Sequence, residues 1–345
     1  MLEADSLPRG EPSQSPPSVQ ALEAELEDRR GAGDLTAVAE ACLRLAQAYA
    51  TRGSFRRALT TYEEALKAFE EGEDRAGRLL CLKCMAGLAY REGAWNRALD
   101  LYHQALALLG DPEERSEIAQ IQSQIGSVYQ GQGDWEKALA AYRMSLEIRE
   151  GLADTRGMAI LHNNLGAVYA RQERWEEARQ AWAECLVLHE GTGDITGQAI
   201  TLGNLGSLAQ RQSQWTDALT WYEKSLPLYQ KSDDALGEAT IHNNMGFVHK
   251  QLGQLDKALA AYQEGLKLLH QIGDTLRATV ALFNIAVLHE ERGNYREALR
   301  LLEQVIEMDR RIGHPDLRRD METFRRVRQK LDAERDTKRM QEEQA

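Results

Sequence analysis

The chain has 345 residues and a formal net charge of −12, with only 7 prolines and 5 phenylalanines among many alanines, leucines and glutamates. A single compact core of this length is unusual, so size alone favours several domains or a repeat array. The excess of acidic residues disfavours attraction to a nucleic-acid backbone or an anionic membrane. Because no apolar run approaches the roughly 18–20 residues that span a bilayer, we expect a soluble, cytoplasmic protein without membrane insertion.

The N-terminal segment, residues 1–18, contains four prolines among serines and charged residues. This composition predicts a disordered tail. In residues 19–33, Val19, Leu22 and Leu26 have the spacing of one face of a short helix. We predict that this helix caps the repeats that follow, because a terminal repeat would otherwise expose its apolar face.

Residues 34–313 repeat with a period of 40. An alanine marks each of the seven units, at Ala58, Ala98, Ala138, Ala178, Ala218, Ala258 and Ala298. Three residues earlier stands a large apolar residue, at Phe55, Trp95, Trp135, Trp175, Trp215, Leu255 and Tyr295. Four residues later comes Tyr62, Tyr102, Tyr142, Trp182, Tyr222, Tyr262 or Leu302. These offsets place the three positions on one face of a helix, here called helix B, and predict that its aromatic rings pack in a core.

A turn precedes helix B, and five units have glycine there, at Gly53, Gly93, Gly133, Gly253 and Gly293. Glycine permits positive φ, whereas Glu173 and Ser213 in the other two units require either strain or another geometry. Upstream lies helix A, which most units open with a capping aspartate. We predict A helices at about 35–51, 75–91, 112–131, 155–171, 195–211, 235–251 and 275–291. Four of them carry a central glycine that would let helix B approach closely, at Gly126, Gly166, Gly206 and Gly246.

This order of a Leu-Gly pair, a turn glycine, an alanine and flanking aromatic residues resembles the tetratricopeptide repeat, over residues 34 to about 312. The family's usual period is about 34 and its usual closing proline is missing here. The long unit resembles the branch that includes kinesin light chain, the LGN-type spindle adaptors and the Rap-type bacterial peptide sensors. The resemblance implies an all-α fold, an α-solenoid of seven helix-turn-helix repeats with terminal capping helices.

The C-terminal region follows the last repeat. Residues 314–333 begin with His314-Pro315 and carry Leu317, Phe324 and Leu331 at helical spacing, which predicts a C-terminal capping helix over the seventh repeat. Residues 334–345 contain only mixed charges beyond that stripe, and we expect this tail to fray.

Asparagines recur just before the Leu-Gly phase of helix A, at Asn164, Asn204, Asn244 and Asn284, with Asn163 and Asn243 beside two of them. The resemblance implies that helix A lines a concave groove, in which such amides pair with the backbone of an extended peptide. Hydrogen bonding between repeats is the alternative. The sequence leaves both open.

Other candidates surround these asparagines. Arg171 and Arg211 stand near the groove edge, where guanidinium groups could pair with carboxylates, although solvated surface charge is the alternative. His162 and His242 share one helical position two repeats apart, too distant for a common metal, and we predict that they line the groove. The groove floor between these residues is apolar or small. We therefore predict an extended peptide ligand with apolar and some acidic side chains.

No phosphate-binding, metalloprotease or hydrolase motif is found, and the lone C-x-x-C at Cys81 and Cys84 lies inside a predicted helix. We therefore predict no enzyme, no cofactor and no metal. The favoured function is a non-catalytic scaffold or adaptor that binds another protein along the groove of repeats 3 to 7. The alternatives are a peptide-sensing regulatory protein whose superhelix switches an effector, and a scaffold that self-associates.

Overall fold

The computed structural model describes residues 18–343, and within that range the chain forms sixteen α-helices and one short 3₁₀ helix, without a β-strand. The predicted disordered tail lies outside these residues except for Ser18, whose side chain accepts a hydrogen bond from the N–H of Ala21 at 3.1 Å. The helices fall into two compact units, one ending at Ala153 and the other beginning at Asp154. The predicted all-α solenoid is confirmed.

The first unit contains a leading helix and three repeats. Its helices are α1 Val19–Ala32, α2 Leu35–Thr51, α3 Phe55–Glu71, α4 Arg75–Arg91, α5 Trp95–Ala107, α6 Arg115–Gln132 and α7 Trp135–Gly151, with the 3₁₀ helix Pro112–Glu114 before α6. Helices α2, α4 and α6 are A helices, and each packs against the B helix that follows it. The third A helix was predicted from residue 112, but its first turn is the 3₁₀ helix.

The second unit contains four repeats and a final helix. Its helices are α8 Thr155–Arg171, α9 Trp175–Thr192, α10 Ile195–Arg211, α11 Trp215–Lys231, α12 Ala235–Gln251, α13 Leu255–Ile272, α14 Thr275–Glu291, α15 Tyr295–Ile312 and α16 Leu317–Glu343. The even-numbered helices α8 to α14 are the A helices and have the predicted bounds. No helix within residues 18–343 combines the length and the apolar character needed to cross a membrane.

Aspartates define where the A helices begin. The side chains of Asp74, Asp154 and Asp194 accept the backbone N–H three residues later at 2.9–3.0 Å. Each satisfies one amide that the first turn of a helix leaves without a partner. The capping function predicted for these aspartates is therefore confirmed.

The turns between A and B helices share one geometry. Gly53, Gly133 and Gly293 have φ between 73° and 80°, and Glu173 and Ser213 adopt φ of 59° and 58° at the same position. The choice that the sequence left open is thus resolved. The two side-chain-bearing residues keep the left-handed turn, at a cost of order 1 kcal/mol each.

The central glycines of the A helices face aromatic rings. A Cβ placed on Gly166 would lie 2.7 Å from the Trp182 ring, and one on Gly206 would lie 2.5 Å from the Tyr222 ring. The glycine thus makes room for the ring itself, rather than for the backbone of helix B as the sequence suggested. The alanine of helix B is fully buried beside it, as at Ala178 and Ala218.

A second set of glycines, which the sequence analysis missed, lies in the first turn of A helices. A Cβ on Gly77 would lie 2.3 Å from the Phe69 ring, and one on Gly237 would lie 2.1 Å from the Tyr229 ring. Each ring belongs to the last turn of the preceding B helix. The side chain at this B-helix position therefore holds the next repeat against its neighbour.

Both ends of the described chain are covered by helices. Helix α1 buries Val19, Leu22 and Leu26, and α16 buries Val327 and Leu331. Glu290 of α14, with 5% of its side chain exposed, accepts hydrogen bonds from Arg326 and Lys330 of α16 at 2.8 Å.

The prediction for the last helix needs correction. It begins at Leu317 and continues to Glu343, ten residues past residue 333, where fraying was expected. Most of the added residues are good helix formers, and Asp332 pairs with Arg328 at 3.6 Å and with Arg335 at 3.9 Å. Such propensity and neighbouring ion pairs extend a helix without any apolar contact.

Candidate functional site

The A helices of the second unit expose one face, here called the A face. It is formed by Ile160, Asn164 and Ala167 in repeat 4, Ile200, Asn204 and Ser207 in repeat 5, Thr240, Asn244 and Phe247 in repeat 6, and Val280, Asn284 and Val287 in repeat 7. Steps of four and three residues keep these positions on one side of each helix. The predicted asparagines are therefore brought into one row.

Four of the six asparagines bond to each other between repeats. The amide of Asn204 donates to Oδ1 of Asn163 at 2.8 Å, and that of Asn284 donates to Oδ1 of Asn243 at 3.2 Å. Asn163 also accepts from Nε1 of Trp182 at 3.2 Å. These bonds join neighbouring A helices, so this part of the row serves the scaffold.

Asn164 and Asn244 differ from the other four. Both are partly exposed, and neither side chain has a hydrogen-bond partner among the residues that the structure describes. Each amide can offer two N–H groups and a carbonyl oxygen to a ligand. The row therefore alternates between amides used inside the scaffold and amides that remain available.

The two arginines also have different environments. Arg211 donates from Nη1 to the carbonyl oxygen of Ala170 at 2.8 Å, and its guanidinium lies 4.9 Å from the centre of the Trp175 ring. Its main contacts are thus between repeats. Arg171 is exposed and makes no hydrogen bond or ion pair within residues 18–343, so it is the arginine free to pair with a carboxylate.

The predicted groove-lining position of His162 is wrong. Its side chain is buried, 9% exposed overall, and Nδ1 lies 2.9 Å from Oε2 of Glu184 on helix B. A residue two positions before Asn164 is rotated by about 200° around the helix, away from the A face. His242 is partly exposed at the equivalent position, and its Nε2 lies 3.7 Å from Glu238 on the same helix.

Exposed apolar side chains accompany the free amides. Ile160 and Phe247 are each 37% exposed, and Leu276, one turn before Val280 on α14, is 51% exposed. The Phe247 ring meets Trp215 edge-on at a centroid distance of 6.1 Å, which fixes its position. The A face thus combines apolar contact area with unpaired amide groups.

Buried titratable groups on the B helices of the second unit have raised pKa values. Burial raises the pKa of Tyr222 to about 12, and burial also raises the pKa of the Cys185 thiol. In the first unit, burial raises the pKa of Cys81 to about 12, so this thiol is a poor nucleophile and metal ligand. No cluster of three or more metal-ligating side chains occurs in the described part of the chain.

Helix pairs that stack one on the next define the class of protein, which is a helical-repeat protein. A tetratricopeptide repeat model matches residues 75–151, 117–186, 157–231 and 237–311, and a second one matches residues 39–71. These matches cover well over half of the sequence, so the chain belongs to the tetratricopeptide repeat family. Proteins built from this repeat generally bind other proteins and do not catalyse reactions.

Solved structures show the same fold. RapI, in its apo form, has a TM-score of 0.67 and 18% identity, over 86% of this chain and 82% of its own. Aspartyl phosphate phosphatase F from Bacillus subtilis has a TM-score of 0.60 and 14% identity, over 92% and 96%. BtubC (BKLC) from P. vanneervenii has a TM-score of 0.54 and 22% identity, over 62% and 91%. No curated protein matches the sequence significantly.

Proposed function

We propose that the protein is a non-catalytic scaffold that holds an extended segment of a partner protein on the A face of repeats 4 to 7. The observation that carries this proposal is the pair of unpartnered amides at Asn164 and Asn244, set among the exposed side chains of Ile160 and Phe247. An amide left free where its neighbours are all bonded is available to a peptide backbone. The four free cysteines fit a reducing compartment, and we propose the cytoplasm.

The chemistry of the A face specifies the partner segment. Apolar side chains would pack on Ile160, Phe247 and Leu276, and backbone N–H and C=O groups would pair with Asn164 and Asn244. An acidic side chain would pair with Arg171. The proposed site covers repeats 4 to 7 and leaves out repeat 3, which has Gln124 at the position of the asparagines.

Selection from a displayed library of random peptides tests this proposal. The bait is the full chain, and the affinities of enriched peptides are then compared between wild type and the double variant Asn164→Ala, Asn244→Ala. Losing two hydrogen bonds should weaken binding by about 5- to 100-fold. Both amides lack internal partners, so the melting temperature should stay unchanged.

Asn294→Ala is the matched control, because Asn294 is also exposed and its side chain caps no helix. This variant should bind like wild type. If no enriched peptide is sensitive to the double variant, the A face is not the binding surface and the proposal fails.

A further inference from the structure

One position of the 40-residue repeat is apolar in every repeat except repeat 4. Directly after the marker alanine, six of the seven repeats have leucine, at Leu59, Leu99, Leu139, Leu219, Leu259 and Leu299, and repeat 4 has Arg179. Four of these leucines are nearly fully buried, with exposed fractions from 1% to 9%. An arginine cannot take that place without burying its charge.

Arg179 instead turns outward. Its side chain is 46% exposed, its Nη2 donates to Oε1 of Gln212 at 3.3 Å, and it lies 3.6 Å from the exposed carboxylate of Glu176. Repeat 4 therefore lacks the apolar side chain that is buried at this position in repeats 1, 2, 3 and 7. Such a loss removes dispersion contacts and apolar burial from the packed layer.

An open cleft of about 210 Å³ occupies this region, between α9 and α11. Leu205, Leu208 and Ala209 of α10 contribute core side chains to its lining, and Trp221 of α11 contributes an aromatic ring. The rest of the lining is polar or charged, with Arg179, Gln212, Gln214, Asp217 and Thr220. An apolar cavity of about 150 Å³ already holds a benzene molecule in another protein. The cleft is thus large enough for one aliphatic side chain.

The surface around the cleft is also unusual. Val187, two turns after Arg179 on the same side of α9, is 65% exposed, and Ala183 between them is exposed as well. Across the cleft, the ammonium of Lys224 lies 4.7 Å from the Trp221 ring centre, and α11 lines the cleft with Asp217, Thr220 and that ring. An exposed apolar strip on the helix that borders an open cleft with both apolar and charged lining residues is typical of an interaction surface.

We propose that this cleft, on the helix B side of repeats 4 and 5, is a second docking site that takes an aliphatic side chain of a partner polypeptide next to an acidic residue. The aliphatic group fills the place of the missing leucine, between Trp221 and the core side chains of α10. The carboxylate pairs with Arg179, whose only ion pair among the described residues is the weak, exposed one to Glu176. Asp217 on the opposite rim repels a carboxylate there and so fixes its position on the α9 side.

The test uses Arg179→Leu, which restores the residue of the other six repeats and fills the cleft. Peptides are selected on the full wild-type chain, with counter-selection against this variant. We expect enriched peptides to share Leu, Ile or Met within two residues of Asp or Glu, and to bind Arg179→Leu about tenfold or more weakly. Binding should be unchanged in the Asn164→Ala, Asn244→Ala variant, which separates this site from the A face.

A direct probe completes the experiment. N-acetyl-leucine carries both the isobutyl group and a carboxylate, and its addition should shift the indole NMR signal of Trp221, whereas N-acetyl-glycine should not. Arg296→Leu, another exposed arginine replaced by leucine, is the matched control and should leave the shift in place. The proposal is overturned if no peptide distinguishes wild type from Arg179→Leu, or if the Trp221 signal does not respond. A concentration-dependent mass that Arg179→Leu abolishes would also overturn it, because the occupant would then be a second copy of the chain.

Discussion

The two units build the same helix pairs but present different A helices to their surroundings. At the phase of the asparagines, the first unit has Arg44, Cys84 and Gln124, and the second unit has asparagine in all four repeats. Repeats 2 and 3 are joined by an ion pair from Lys83 to Glu117, with a further bond from Lys83 to Gln120 at 3.2 Å. Neighbouring A helices are thus joined by contacts of Lys83 in the first unit and by pairs of asparagine amides in the second.

The buried positions do not differ in this way. Ala98 and Ala218 are both fully buried, and Tyr102 and Tyr222 are 4% and 0% exposed. The scaffold is therefore specified by one set of positions and the A face by another. Substitutions at the first set should change stability, and substitutions at the second should change binding.

The largest effect is expected at the buried set, from Gly206→Ala. The new Cβ would lie 2.5 Å from the Tyr222 ring, so α10 and α11 must separate, at a cost of about 2–3 kcal/mol. Gly87→Ala in the first unit is the control, because nothing lies within 4 Å of its Cβ position. Alanine there should stabilise by about 1 kcal/mol through helix propensity alone. Urea unfolding followed by circular dichroism measures both; equal midpoints for the two variants would show that the glycine is not needed for packing.

Most of the fold could be predicted because its causes are local. Asp194 caps a helix and Gly133 forms a turn through contacts with residues close to them in sequence. Because such caps and turns recur every 40 residues, they predicted the bounds of nearly every helix. The final helix was cut short in the prediction because residues 334–343 have no apolar stripe. Its continuation rests on helix propensity and neighbouring charge pairs, which an apolar pattern does not register.

The site was harder to predict because its partners lie about forty residues apart. The sequence shows Asn163 beside Asn164, but which of the two bonds to Asn204 depends on the stagger between α8 and α10. Arg211 likewise looks free until Trp175 is placed beneath it. The burial of His162 was within reach of the sequence, since a rotation of about 200° from Asn164 points it toward helix B.

A smaller change in stability is expected at the buried position in the last turn of helix B, where the repeats have different residues. Phe69 fills this position in repeat 1 and Leu269 in repeat 6, but repeat 7 has Asp309, which is fully buried and lies beside the buried carboxyl group of Asp320. Asp309→Leu should stabilise the protein by about 2 kcal/mol, because one of two neighbouring buried carboxyl groups is replaced by the side chain used in repeat 6.

This effect should depend on pH. Burial, together with the neighbouring Asp309 carboxyl, raises the pKa of Asp320 to about 6, above the value of about 3.9 in an unfolded chain. The folded state therefore holds this proton more tightly, and the stability it contributes is complete below pH 4 and lost as the pH rises through 6. The gap in urea midpoint between Asp309→Leu and wild type should widen from pH 4.5 to pH 7. A constant gap would mean that the two carboxyl groups do not interact.

The smallest effects separate the two kinds of asparagine within the second unit. Asn163→Ala removes the acceptor of both Trp182 and Asn204 and should cost about 1–2 kcal/mol, since two polar groups lose their partner at a partly buried site. Asn164→Ala removes an amide that bonds to nothing in residues 18–343 and should change stability by less than about 0.5 kcal/mol. Thermal unfolding of the two single variants under one buffer condition measures this difference. Equal losses of stability would mean that Asn164 supports the fold as Asn163 does. The distinction between positions that stabilise the fold and positions that are available for binding would then be wrong for these two residues.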